Sequence, residues 1–261
     1  MKYTVILPLL PLYKEPTTDS EYTDEAFYGQ KVKVLEESGD FYKIHTEYDY
    51  IGYVLKSSIS DEVYKVTHVV TSAFGDLLPE PKNGKGALIA VPRGSFIKVI
   101  GGGTERYAEV ELADGRHGFI HKANIMPIAD MDRKRTEAEL RRDIVNTARL
   151  FVGTSYRWGG KTAAGIDCSG LAFMSYYMNG LHLYRDAHFE KSPILKEITL
   201  DEAKEGDLLF FPGHVAIYIG SGMYIHSTTS LGGVGFNSFR EDSPLFNAYL
   251  KENLSQVASI F

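Results

Sequence analysis

Cys168 is the only cysteine among the 261 residues of the chain, and its surroundings suit a nucleophile. It lies in residues 165–171, where a glycine-containing loop runs into a helix-favouring segment. The first N–H groups of a helix carry a partial positive charge, which favours a thiolate over a thiol. We therefore expect Cys168 to lie at a helix N-terminus with a lowered pKa and to act as a nucleophile. The alternative is an inert, buried cysteine, because unpaired cysteines are among the most buried residues.

A base for this nucleophile is offered by two histidines on successive predicted strands. His214 begins an apolar run at residues 215–219, and His226 ends the next run at residues 223–225. If the two strands form a hairpin centred on Gly220, the histidines lie directly opposite each other. Their equal parity directs them to one face of the sheet. Cys168, His214 and His226 then form a nucleophile, a base and an orienting residue.

Composition and charge exclude several other classes of site and partner. A lone cysteine can form neither an internal disulfide nor a cysteine-rich metal site, and the spacing of His214 and His226 matches no usual zinc signature, so we predict no metal and no cofactor. The formal charge of −6, with no long basic run, argues against a nucleic-acid partner. Since no apolar stretch approaches the roughly 18–20 residues of a membrane span, we predict no membrane span.

The first half of the chain contains an internal repeat with a shift of about 65 residues. Residues 29–35 align with 94–100, and residues 52–59 with 118–125. Both copies alternate apolar and polar residues with a period of two, as half-buried strands do. We predict two small all-β barrels at residues 1–61 and 62–127, the alternative being one larger sandwich. The two prolines and early acidic residues of the N-terminus favour a first strand over a secretion signal, so a cytoplasmic location is expected.

After residue 127 the pattern changes from strands to helices and then back to strands. Apolar residues at helical spacing predict an amphipathic helix that includes Leu140, Ile144 and Ala148, and a second helix is predicted at about 169–178. Three strand-like runs follow Asp207, separated by glycine-containing turns. The order predicts an α+β domain at residues 128–261.

Five short motifs of this last domain occur in the order that is typical of one peptidase family. They are Tyr156-Arg157-Trp158-Gly159-Gly160, Gly165-Ile166-Asp167-Cys168-Ser169-Gly170, Gly206-Asp207-Leu208, Gly213-His214-Val215-Ala216-Ile217-Tyr218 and Ile225-His226-Ser227. Over roughly residues 132–261 the chain resembles the NlpC-type bacterial cell-wall cysteine peptidases. The resemblance implies a circularly permuted papain-like fold, with Cys168 as nucleophile, His214 as base and His226 as third member of a triad.

The same resemblance implies further site residues around the nucleophile. Tyr156 would stabilise the oxyanion together with the Cys168 N–H, although a core aromatic is the alternative for this tyrosine. Asp167 and Ser169 flank the nucleophile as in the family, and Asp186 belongs to an Arg-Asp element that the family also has. Ala187 stands where some relatives have serine, so one contact to a substrate amine is missing or replaced.

The two barrels look like bacterial SH3-like domains, and the arrangement is similar to that of γ-D-glutamyl-L-diamino acid endopeptidases of murein-peptide recycling. In those enzymes the first barrel restricts cleavage to peptides with a free N-terminal L-Ala. The resemblance implies Tyr50 as the barrel contribution. Glu21, Asp24 and Glu25 are unranked candidates for an acidic partner of the substrate amine.

We therefore expect an endopeptidase that takes a small murein peptide and releases L-Ala-D-Glu. Two alternatives stay open at this point, which are a non-catalytic module that binds cell-wall peptide, and an amidase or acyltransferase of the same superfamily. The sequence does not distinguish diaminopimelate from lysine in the third peptide position, and it does not indicate the oligomeric state.

Overall fold

The computed structural model describes residues 2–82 and 84–261. The chain divides into two compact units, residues 1–131 and 132–261. Strands make up most of the first unit, and the second unit combines helices with a six-stranded antiparallel sheet and a short two-stranded one, so the architecture is α+β as predicted.

The first barrel is built from a sheet of antiparallel strands in the order β3-β2-β6-β5-β4-β1-β7. The strands are β1 Lys2–Val5, β2 Leu9–Tyr13, β3 Tyr22–Phe27, β4 Lys31–Ser38, β5 Phe41–Thr46, β6 Ile51–Leu55 and β7 Ile59–Ser60. The N-terminal segment predicted as a first strand does form strand, but it is divided into β1 and β2 with a break between them. Pro8 lies in this break, and proline has no backbone N–H to donate to a strand ladder.

The second barrel repeats this arrangement with a sheet in the order β13-β12-β11-β8-β14 and a hairpin of β9 with β10. Its strands are β8 His68–Val70, β9 Phe74–Leu77, β10 Ile89–Pro92, β11 Phe96–Gly101, β12 Tyr107–Glu111, β13 His117–His121 and β14 Ile125–Pro127. The 65-residue repeat is structural, since the aligned segments form β4 and β11, and then β6 and β13. Short 3₁₀ turns follow the latter two strands, at Lys56–Ser58 and Lys122–Asn124.

Tyr28 and Gly29 join the two barrels. The Tyr28 ring is buried in the core of the second barrel, and its hydroxyl accepts a hydrogen bond of 2.6 Å from the Ala113 N–H. The backbone of Phe96 donates to the Tyr28 carbonyl at 2.7 Å. Gly29 has a φ of +78°, and a Cβ atom there would lie 2.1 Å from the Phe96 carbonyl oxygen. Only glycine satisfies both conditions, so the joint depends on this residue.

The second unit places two helices beside an antiparallel sheet in the order β17-β22-β18-β19-β20-β21. The elements are α1 Glu137–Arg149, β15 Lys161–Thr162, β16 Gly165–Ile166, α2 Cys168–Tyr177, β17 Lys196–Ile198, β18 Leu208–Phe211, β19 His214–Gly220, β20 Met223–Thr228, β21 Gly233–Ser238, α3 Ala248–Glu252 and β22 Gln256–Ser259. Helix α1 is the predicted amphipathic helix, and it begins with a capping box between Thr136 and Glu139. Helix α2 packs between α1 and the strands β19 and β20.

Candidate active site

Cys168 is the first residue of helix α2, as the sequence predicts. The Asp167 side chain caps the helix by accepting a hydrogen bond of 2.6 Å from the Gly170 N–H. Every residue of α2 is buried, so the helix cannot shift without disturbing the core. The preceding loop is tied to strand β20, because the Ser227 hydroxyl donates to the Ile166 carbonyl at 2.6 Å. These bonds hold the nucleophile against the strand that carries His226.

A fully buried arginine anchors the same turn. The Arg185 guanidinium donates to both oxygens of the Asp167 carboxylate at 3.0 Å, and to the Ser169 hydroxyl at 2.8 Å. The Gly159 N–H adds a further bond of 2.7 Å to Asp167. The carboxylate that flanks the nucleophile is thus committed to a charge-paired network. Sequence reasoning noted Arg185 only as part of an Arg-Asp motif, because no local pattern pairs it with a residue 18 positions earlier.

The Cys168 thiol is not activated in the way the helix terminus suggests. Burial raises the pKa of Cys168 to about 11, and the Asp167 charge adds to this effect. Backbone hydrogen bonds from Val215 and Ser169 oppose the shift without overcoming it. The expectation of a lowered pKa is therefore wrong for the free protein, because the cost of burying a charge exceeds the effect of the helix dipole. A base must take the proton when substrate is attacked.

The two histidines are in contact, although not in the register expected. His214 Nε2 lies 2.8 Å from His226 Nδ1. The hairpin pairs Ile217 with Ile225, and continuing this register sets His226 opposite Ala216. The expected centre at Gly220 is wrong by one position, which makes the histidines diagonal neighbours. Moving the centre by one position changes the pairing partner of each residue by two. Because side chains alternate between the faces of a strand with a period of two, the histidines still share a face.

His226 is buried and His214 is half-buried, and this desolvation favours the neutral forms of both imidazoles. Burial lowers the pKa of His214 to about 4, and the neighbouring His226 adds to the effect. Burial also lowers the pKa of His226, whose Nε2 lies 2.9 Å from Asn237 Oδ1. Val215, which follows His214, hydrogen-bonds to the Cys168 sulfur through its backbone. The sulfur therefore lies at the start of β19, beside the base.

Tyr156 and Asp186 both lie in the neighbourhood of the nucleophile. Burial raises the pKa of Tyr156 to about 12, and the charge of Cys168 is the next cause, so the hydroxyl is within electrostatic reach of the sulfur. Asp186 and Ala187 line a small pocket whose wall also contains Ser169 and Val215, the neighbours of Cys168 and His214 in the chain. The pocket is thus next to the nucleophile and is partly apolar.

Asp24, Glu25 and Tyr50 of the first barrel are all buried. The Tyr48 hydroxyl donates to Asp24 Oδ2 at 2.6 Å, and the Tyr22 hydroxyl donates to Glu25 Oε1 at 2.5 Å. As successive residues of β3, the two acids point to opposite faces of the strand. Asp24 is paired with Leu12 across the hairpin and shares the face of the barrel core, whereas Glu25 points to the opposite face and is equally buried.

Residues 2–82 and 84–261 contain no group of three or more His, Cys, Asp or Glu side chains arranged to hold a metal ion. In that part of the chain, no helix combines the length and the apolar character that crossing a membrane requires.

Comparisons with known proteins agree with this architecture. The profile of the NlpC/P60 family matches residues 153–257, and that of the bacterial SH3 domain matches residues 9–60. Dipeptidyl-peptidase 6 of Lysinibacillus sphaericus is 37% identical, with all of both chains covered. The γ-D-glutamyl-L-lysine dipeptidyl-peptidase of Bacillus subtilis (strain 168) is 33% identical over 46% of this chain and 41% of its own.

A solved structure extends the likeness of fold to the whole chain. A crystal structure of an NlpC/P60 family protein from Bacillus cereus ATCC 10987 superposes with a TM-score of 0.80, at 20% identity and 98% coverage of both chains. The chain belongs to the NlpC/P60 family of cysteine peptidases.

Proposed function

We propose that the protein is a γ-D-glutamyl-L-diamino acid endopeptidase that cleaves murein peptides with a free N-terminal L-Ala and releases L-Ala-D-Glu. The observation that carries the proposal is the contact between His214 and His226 beside the sulfur of Cys168. The names of the relatives support the bond class, since two of them are dipeptidyl-peptidases and one is specified as acting at γ-D-glutamyl-L-lysine. Because the chain is a cysteine peptidase, the alternative of a non-catalytic module is set aside.

The proposed reaction uses Cys168 and His214 in two steps. His214 takes the thiol proton while the sulfur attacks the γ-carbonyl of D-Glu, and Tyr156 with the Cys168 N–H stabilises the oxyanion. The protonated His214 then gives its proton to the amine of the diamino acid as the C–N bond breaks. A thioester of L-Ala-γ-D-Glu remains on Cys168. In the second step His214 removes a proton from water, which attacks the thioester and releases L-Ala-D-Glu and the thiol.

In this proposal the first barrel makes cleavage depend on a free substrate amine. The structure of the barrel supports a ranking of its acidic residues as partners of that amine. Both acids are buried and each accepts a hydrogen bond from a tyrosine, but Glu25 is on the face of β3 opposite the barrel core, whereas Asp24 is on the core face. We therefore propose Glu25 as the partner of the substrate ammonium. Glu25→Gln should raise KM for peptides with free L-Ala. Asp24→Asn is the matched control, and an equal effect on KM in both variants would contradict the ranking.

The test of the function is mass spectrometry of a muropeptide panel with diaminopimelate or lysine at the third position, each with free and blocked L-Ala. We expect L-Ala-D-Glu from the free forms alone, and no product from Cys168→Ala. Cleavage between glycan and peptide would favour an amidase instead. Equal cleavage of free and blocked peptides would contradict the role of the barrel.

We also propose a cytoplasmic role in peptide recycling. A free L-Ala amine exists only after the peptide has been cut from the glycan, so the proposed specificity suits released peptides. Cell fractionation with an antibody against the chain tests the location, and recovery in the cell-wall fraction would contradict it.

A further inference from the structure

Asn237 extends the chain of contacts that begins at Cys168. It lies on strand β21 opposite Tyr224, while His226 is opposite Gly235, so Asn237 is a diagonal neighbour of His226 on the same face of the sheet. Its Oδ1 atom lies 2.9 Å from His226 Nε2. Since His226 Nδ1 contacts His214 Nε2, the amide of Asn237 is linked to the base through one intervening ring.

The orientation of the Asn237 amide is fixed by the hydrogen bond of its Nδ2 group. The Nδ2 group donates to the Leu245 carbonyl at 3.0 Å, and this carbonyl also accepts from the Ser238 N–H at 2.9 Å. A flipped amide would set two acceptor oxygens against each other at the same distance. The oxygen of Asn237 therefore faces His226, and it can only accept a hydrogen bond.

This acceptor determines the tautomers of both histidines. Because Asn237 Oδ1 accepts, His226 Nε2 carries the proton and donates it. A neutral His226 then has a bare Nδ1, which must accept from His214. His214 in turn carries its proton on Nε2, and its Nδ1 is bare. The burial of both rings supports the neutral state on which this sequence of bonds depends.

We propose that Asn237 is a positioning residue that sets His214 in the tautomer whose Nδ1 takes the Cys168 proton. The proposal rests on the roles proposed above for Cys168 and His214. Without the amide, His226 Nε2 has no acceptor at this position, and the direction of the bond between the two rings is free to reverse. A reversed bond places the His214 proton on Nδ1, where the base must be empty. The wrong tautomer is known to be costly in histidine-dependent catalysis.

The direct test is ¹⁵N NMR of the histidine rings at pH 7, which reports tautomers without any substrate. We expect His214 with its proton on Nε2 in the native protein, and a mixture of tautomers in Asn237→Leu. Asn253→Leu is the matched control, because Asn253 also donates from its side chain to a backbone carbonyl, that of Tyr249. A native His214 protonated on Nδ1 would overturn the proposal, and so would an unchanged tautomer in Asn237→Leu.

A kinetic test separates positioning from simple loss of structure. Asn237→Leu should lower kcat on the order of 10- to 100-fold, as loss of a partner that orients a histidine typically does. Asn237→Asp keeps an acceptor for His226 and should therefore recover activity. The negative charge of the aspartate favours protonated imidazole and raises the histidine pKa, so the histidine-dependent limb of the pH profile should move to higher pH. Absence of both recovery and shift in a variant with native thermal stability would contradict the proposal. If no muropeptide is cleaved by the native protein, the NMR result still decides it.

Discussion

The nucleophile and the base are held by two clusters that differ in charge. On one side, Arg185 and Asp167 form a buried ion pair that caps the helix of Cys168. On the other side, three uncharged side chains are joined by hydrogen bonds and form the neutral row, which consists of His214, His226 and Asn237. The charged cluster has no role for a moving proton, because Arg185 stays protonated at any working pH. In the neutral row, a neutral His214 can still accept a proton, which a guanidinium cannot do. We infer that fixed charge is used for position and neutral rings are used for proton transfer.

The largest effect is expected when Arg185, the cation of the charged cluster, is replaced. Arg185→Met leaves Asp167 buried without its counter-charge, and we expect the free energy of unfolding to fall by about 3 to 5 kcal/mol. Urea denaturation at pH 7 measures this. Arg240→Met is the control, because Arg240 pairs with Asp242 on the exposed surface and should change the free energy by less than about 1 kcal/mol. Equal losses in the two variants would contradict a special role for the buried pair.

The second prediction concerns Tyr156, whose pKa is affected by the charge of Cys168. Tyr156→Phe removes a hydroxyl that we expect to bind the oxyanion, so kcat should fall on the order of 100-fold with little change in KM. Steady-state kinetics on the best muropeptide of the panel measures the change. Tyr249→Phe, at an exposed position of α3, serves as control. A loss of stability in place of a loss of kcat would show that Tyr156 belongs to the core.

Acid should weaken the neutral row while the ion pair is still intact. The unfolded chain protonates a histidine near its ordinary pKa of 6.5, whereas folded His214 resists protonation until about pH 4. Between these values the unfolded state binds more protons, so the free energy of unfolding should fall by roughly 1 kcal/mol per pH unit on acidification. Urea denaturation at pH 7, 6 and 5 tests this. A slope in His214→Asn as steep as in the native protein would show that other groups are responsible.

The smallest effect is expected beside the neutral row. The Tyr224 hydroxyl is buried and, among residues 2–82 and 84–261, has no hydrogen-bond partner. Its ring packs edge-on against His226. Tyr224→Phe should therefore leave the free energy of unfolding unchanged or raise it by less than about 1 kcal/mol. Tyr176→Phe should instead lower it, because the Tyr176 hydroxyl donates to the Gly206 carbonyl and its loss orphans a buried acceptor. Thermal denaturation compares the two variants.

The parts of the site that depend on local pattern could be predicted from the sequence. The N-terminus of α2 at Cys168 follows from a loop ending in Asp167, a residue that caps helices well. The shared face of His214 and His226 follows from parity alone. That expectation survived an error in the register because the error equalled one strand period.

The parts that depend on distant contacts or on burial could not be predicted. Arg185 meets Asp167 through the fold, and Asn237 meets His226 across a strand pair whose register no motif specifies. The protonation of Cys168 depends on how deeply α2 is buried, which the helix-terminus argument does not include. In the barrels, alternation predicted the strands, but Pro8 divided the first of them.

The junction at Tyr28 limits how the barrels can be exchanged between proteins. The ring of Tyr28 belongs to the first barrel by position in the chain and to the second by packing. A fragment beginning at residue 62 would therefore lack one side chain of its own core and expose the space that the ring fills. The two barrels should melt in a single cooperative transition, and recombination between barrels of different proteins should succeed only when the pair is transferred whole.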